Sequence, residues 1–192
     1  MSETATLRCF YALPVPTAAR PALLAAQSRL RTASEGSPLR PRFSVEAQLH
    51  VTLKFLGDVP REAIPDFMRL ATERAAALAP IEAFWARSIA FGGPRRARAI
   101  VAALEDVGGA LTRLAESLET AVLTLGVPRE TRRYRPHVTL ARLRQPGDVR
   151  LWLAQATPES VRMVFDELRL YASERTPDGG VYTVLESVRF GG

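Results

Sequence analysis

The sequence of 192 residues is poor in several side chains on which protein chemistry often rests: it has one cysteine, one lysine and two histidines. The lone cysteine, Cys9, excludes an internal disulfide and any site built on several thiolates, and it reads as a small apolar residue in a buried strand. No segment stays apolar for the length that a membrane helix needs, so no membrane partner is expected. The opening MSETATLRCFYALPVP has neither a basic start nor an unbroken apolar run, so no secretory signal is expected and the protein is expected in the cytoplasm. The Gly-x-x-x-x-Gly-Lys loop that cradles nucleotide triphosphates is missing, which argues against a triphosphate substrate. The Gly-x-Ser-x-Gly turn of serine hydrolases is missing too.

What is present is an apolar, basic chain. A hydrophobic fraction of 47% over this length suits a single domain with a sizeable core, expected to span 1–192 and to work as a monomer. The net charge of +6 comes from 25 arginines and Lys54. It permits an anionic partner such as RNA without requiring one, because codon bias also produces Arg-rich, Lys-poor chains.

Strand and helix patterns alternate along the sequence. Strands are predicted over 6–15, 50–59, 81–91, 97–104, 132–144, 161–174 and 181–190. Helices are predicted over 17–31, 62–78, 107–126 (ended by Gly126) and about 149–156, with EGSPLRPR as a loop. The Asp-Gly of RTPDGG predicts a hairpin turn before the last strand. The order strand, helix, strand, helix, strand thus appears twice, in halves of about 1–93 and 94–192. That order suggests an old duplication and two similar lobes.

Each half holds one of the two histidines, and both histidines open the same four residues, His-Val-Thr-Leu, at 50–53 and 137–140. On a strand His50 and Thr52 face one way and Val51 and Leu53 the other; His137 and Thr139 are set likewise against Val138 and Leu140. The aliphatic pair anchors each strand in a core, and the other face presents an imidazole beside a hydroxyl. If the lobes are related by a two-fold axis, these faces meet across a shared cleft. One neutral imidazole can then take a proton from an attacking hydroxyl, and a protonated one opposite can give a proton to the leaving oxygen. The threonines can donate to non-bridging phosphate oxygens. Such a site needs no metal or other cofactor; two histidines can also ligate zinc, but a third ligand would have to come from a carboxylate, and none stands at a recognisable spacing.

Paired His-x-Thr-x motifs in a bilobal chain of this size resemble the two-histidine phosphoesterases, and within them the RNA 2′,3′-cyclic phosphodiesterases, also called 2′-5′ RNA ligases. The resemblance extends from RCFYALPVP through LHVTLKFLGDVP and YRPHVTLARL to LRLYASE and GGVYTVL. It implies an α+β fold of two pseudo-symmetric lobes, with antiparallel sheets facing a central cleft and helices outside. It also implies metal-independent opening of a terminal 2′,3′-cyclic phosphate on RNA to a 2′-phosphate, and in reverse a 2′-5′ linkage to an RNA 5′-hydroxyl. His50 is then the acid for O3′, His137 the base for water, and Thr52 and Thr139 the phosphate ligands. By strand period Arg135 shares the face of His137 and is the first candidate for an RNA contact, while Phe10 is a candidate to stack on a base. Lys54 falls on the face of Thr52 by the same count. The same chemistry would serve a small cyclic nucleotide or an ADP-ribose cyclic phosphate, and a module that holds RNA ends without turnover is the remaining alternative.

Overall fold

The computed structural model describes residues 5–158, 160–176 and 179–191. In chain order they form β1 (Thr6–Pro14), α1 (Arg20–Ala33), β2 (Arg42–Phe43), β3 (His50–Pro60), α2 (Ile64–Ala75), β4 (Ile81–Phe91) and β5 (Ala97–Glu105). Then follow α3 (Ala110–Val122), β6 (His137–Gly147), α4 (Arg150–Ala156), β7 (Val161–Phe165), β8 (Glu167–Thr176) and β9 (Gly179–Arg189). The result is an α+β fold in which antiparallel strands carry helices on one side.

Local chemistry explains most boundaries. Pro21 and Pro65 stand in the first turns of α1 and α2, where the missing N–H costs nothing. Asp106 accepts from the backbone N–H groups of Leu111 and Thr112 at the start of α3, and Gly126 closes the turn after it at φ 79°. β6 starts at His137 rather than at 132. Pro136 has no N–H to give to a ladder and contributes only its carbonyl, which accepts from Leu104 N–H. β2, a strand of two residues, begins at the end of the predicted loop and pairs with β6. The predicted strand 161–174 is two strands, β7 and β8, parted at Asp166, whose carbonyl accepts from Phe190 N–H. The RTPDGG turn falls on residues 177 and 178, outside the described residues; the flanking Thr176 and Gly179 are paired.

The strand order is β7-β4-β5-β6-β3-β1-β8-β9, with β2 beside β6. Counted outward from the central β6/β3 pair, β5 matches β1, β4 matches β8, and β7 matches β9, as a two-fold relation requires. The two expected sheets are joined at this centre by the pair Val51 and Val138, the equivalent valines of the two motifs. The seam is not at residue 93. β4 pairs with β5 in the lobe of His137, while β8 and β9 pair with β1 and each other in the lobe of His50.

The helices exchange lobes as well. α1 follows β1 but lies under β6, where Gln27 Nε2 donates to the carbonyls of Ser44 and Leu140. α3 follows β5 but lies under β3, where Glu119 meets Lys54. α2 is tied to β1 through the Tyr11 hydroxyl, which donates to the Phe67 carbonyl at 2.6 Å. One apolar core runs between sheet and helices, with Trp85, Tyr11, Leu13, Ile100, Leu118 and Met163 fully buried. The opposite face of the sheet is left for the cleft.

Candidate active site

β3 and β6 run antiparallel through Val51 and Val138, so His50 stands opposite Thr139 and Thr52 opposite His137. The valines point to the core, and the four polar side chains share the cleft face as the alternation of each motif predicts. Each lobe repeats a further device. The register of β1 on β3 slips between Tyr11 and Ala12, and that of β5 on β6 slips between Ile100 and Val101. The residue passed over is Leu53 in one strand and Leu140 in the other, directly after each threonine.

These matched bulges reset the alternation. Lys54, expected on the face of Thr52, instead points to the helices, is 5% exposed, and donates to Glu119 at 2.9 Å and to the Pro128 carbonyl at 3.0 Å. By the same slip Arg142 arrives on the cleft face. It lines a cavity of about 40 Å³ with Ser44, Gln48, His50, Thr139 and Tyr182. Counting by twos from Thr139 hides Arg142, and the bulge that reveals it leaves no mark in the residue types.

Both imidazoles are held the same way. His50 Nδ1–H donates to the Gln48 carbonyl and His137 Nδ1–H to the Arg135 carbonyl, each at 2.7 Å. A carbonyl only accepts, so each Nδ1 carries the proton and each Nε2 is left as a base toward the cleft. The Thr52 hydroxyl donates to His50 Nε2 at 3.0 Å. Burial lowers the His50 pKa to about 4, with help from the charges of His137 and Arg142 and against the pull of the Gln48 carbonyl. Burial and the Arg142 charge lower that of His137 as well. At neutral pH the free protein therefore holds two neutral imidazoles beside an arginine.

Aromatic rings fix the imidazoles from the side. His137 meets the edge of Phe91 at 4.7 Å between centroids. His50 lies 5.4 Å from Tyr182, 6.0 Å from Tyr171 and 5.1 Å from Phe10. Phe91 and Tyr171 occupy matching places on β4 and β8, opposite Ala99 and Phe10 respectively. The expected stacking role of Phe10 meets a correction: the ring is 2% exposed and already stacked on Tyr171, so it braces His50 and offers no open face. Phe55, 5.7 Å from Phe10 and 57% exposed, is the open aromatic ring beside it. Arg135 is exposed, and its carbonyl is the acceptor for His137 Nδ1–H.

Among the described residues no three His, Cys, Asp or Glu side chains gather as a metal site. No helix among them is long and apolar enough to cross a membrane.

Two imidazoles and two threonine hydroxyls, delivered by related strands to one cationic cleft, define a phosphoesterase of the two-histidine class. The 2′-5′ RNA ligase superfamily model matches residues 14–177, and the chain belongs to that superfamily. A Thermus thermophilus protein named RNA 2′,3′-cyclic phosphodiesterase is 33% identical over 189 residues, covering 94% of this chain and 88% of that protein. One of that name from Methanothermobacter thermautotrophicus is 28% identical over 84% of this chain and 89% of its own length. A crystal structure of a Thermus thermophilus protein superposes with a TM-score of 0.79 at 32% identity, covering 97% of this chain and 99% of that one. Escherichia coli LigT complexed with 3′-AMP shares the fold, with a TM-score of 0.69 at 22% identity and coverage of 97% and 99%.

Proposed function

We propose that this protein hydrolyses the 2′,3′-cyclic phosphodiester end of RNA to a 2′-phosphate, without a metal, and that it acts as a monomer. The observation that carries the mechanism is the pair of Nδ1–H to carbonyl bonds, which fix both histidines as the same tautomer and leave Nε2 as the unprotonated nitrogen for proton traffic. His137 Nε2 takes a proton from water as the water oxygen bonds to phosphorus. The bond from phosphorus to O3′ breaks, and His50 Nε2–H delivers a proton to that oxygen. Thr52 and Thr139 donate to the non-bridging oxygens, and Arg142 balances the charge that grows on them.

The protonation states follow from the site's electrostatics. Both imidazoles are neutral in the free protein, so the acid is created when the anionic phosphate arrives and offsets Arg142. Protonation of His50 removes the acceptor of the Thr52 hydroxyl, which is then free to turn to the phosphate. With an RNA 5′-hydroxyl in place of water as the nucleophile, the same steps break the bond from phosphorus to O3′ and form a 2′-5′ linkage.

The test is incubation of the protein, in excess chelator, with an RNA oligomer ending in a 2′,3′-cyclic phosphate. A 2′-phosphate end is expected, and it should vanish in both His50→Ala and His137→Ala. Activity that appears only when a divalent metal is restored would make the histidines ligands and overturn the mechanism.

A further inference from the structure

A cavity of about 570 Å³ lies between the lobes where β7 passes to β8, outside the pocket of the two histidines. Its size is that of a small-molecule site. Four guanidinium groups line it, from Arg20, Arg162, Arg169 and Arg189, against two carboxylates, Asp166 and Glu167. Each arginine is anchored, Arg169 at all three nitrogens, since its Nη1 donates to the Tyr171 hydroxyl at 3.4 Å. Arg169 is gripped by Glu167 through Nε at 2.9 Å and Nη2 at 3.1 Å, and Arg20 Nε donates to the Val15 carbonyl at 3.2 Å. Arg162 Nε pairs with Glu82, and Arg189 Nη1 with Asp166. Among the described residues this leaves both Nη groups of Arg20 and of Arg162 without a partner, on side chains whose position is already set. Oriented guanidinium groups with open donors match phosphate oxygens.

The cavity adjoins the catalytic pocket. Pro14, in its wall, is the β1 partner of His50. Arg169 is the partner of Ala12, itself the partner of Thr52, which sets its backbone two strand spacings, about 10 Å, from that threonine. Arg162 comes from the lobe of His137 and Arg169 from the lobe of His50, so a ligand here touches both walls. Resting on the phosphodiesterase reading above, we propose that this cavity is a second anion subsite. It holds the phosphodiester next to the reacting end of the RNA, on its 5′ side, and makes the enzyme prefer an oligonucleotide to a mononucleotide.

The experiment compares kcat/KM on a nucleoside 2′,3′-cyclic phosphate with that on an RNA oligomer having the same terminal nucleotide, over a salt series. The parent should favour the oligomer at least about tenfold, with the steeper salt dependence. Arg20→Ala and Arg162→Ala should each cut that preference severalfold, and together by about tenfold, while reducing the salt slope on the oligomer. Arg162→Lys, which keeps the charge, should restore part of it. Melting temperature and turnover of the mononucleotide report whether each variant is folded. A preference unchanged in the double variant, or a parent with no preference, overturns the subsite while leaving the phosphodiesterase reading intact. A parent inactive on both substrates overturns that reading and the subsite with it.

Discussion

His50, Thr52, His137 and Thr139 were legible because each residue type is constrained twice, by its neighbour two positions on and by the repeat in the other half. Their roles differ in how hard they are to replace. In the proposed mechanism loss of either imidazole removes a proton carrier, and His50→Ala or His137→Ala should lower kcat by about a hundredfold to ten-thousandfold. Thr52→Ala or Thr139→Ala removes one hydrogen bond to the phosphate and should cost about tenfold to a hundredfold. Single-turnover rates on the cyclic-ended oligomer separate the two classes, and equal losses at all four positions would break this division of labour.

Arg142 makes the site's pH response a residue-scale question too. The proposed mechanism needs one imidazole protonated, and both are held below the ordinary histidine value, His50 at about 4. The maximum of kcat/KM should therefore lie on the acid side of pH 6.5, with an alkaline limb falling about tenfold per unit. Removing a cation relieves the protonated form, so Arg142→Gln should move that limb to higher pH even though it slows the reaction. An unmoved limb would mean that Arg142 does not act on the histidines.

At the scale of elements, most strands and helices could be read from period and punctuation, but the bulges after Thr52 and Thr139 could not. A bulge is set by how two strands meet, and Leu53 and Leu140 are ordinary strand residues. Lys54 is the test of that geometry. Its ammonium is buried against Glu119 at 2.8 Å and joins β3 to α3, so Lys54→Met leaves a carboxylate beneath the strand without its cation. Denaturant unfolding should show a loss of about 3 kcal/mol, and the double change with Glu119→Gln should cost less than the two single changes summed. Turnover well below the melting temperature should change less than tenfold, because the side chain faces away from the cleft. A large fall in kcat with stability intact would return Lys54 to the cleft face.

For the whole molecule, the duplication was legible as an order of elements, but the exchange between lobes was not. Hydrophobic pattern says which face of a strand is buried and not which neighbour it pairs with. The Gly92-Gly93 loop looked like the end of a half; it is the turn of the β4–β5 hairpin, with Gly92 at φ 90° and no room for a side chain, since a Cβ would sit 2.6 Å from the Arg96 carbonyl oxygen. A cut there removes β5 from β4, β8 from β1, the β6 support from α1 and the α3 cover from β3. The fragments 1–93 and 94–192 should each fail to show a cooperative thermal transition, and when mixed they should regain one together with phosphodiesterase activity. A separately folded 1–93 would mean that β4 and the face of β1 that meets β8 can be buried without the second half. The two-fold site would then be a docking of finished lobes, whereas the pairing of Val51 with Val138 makes it the seam along which the lobes complete each other.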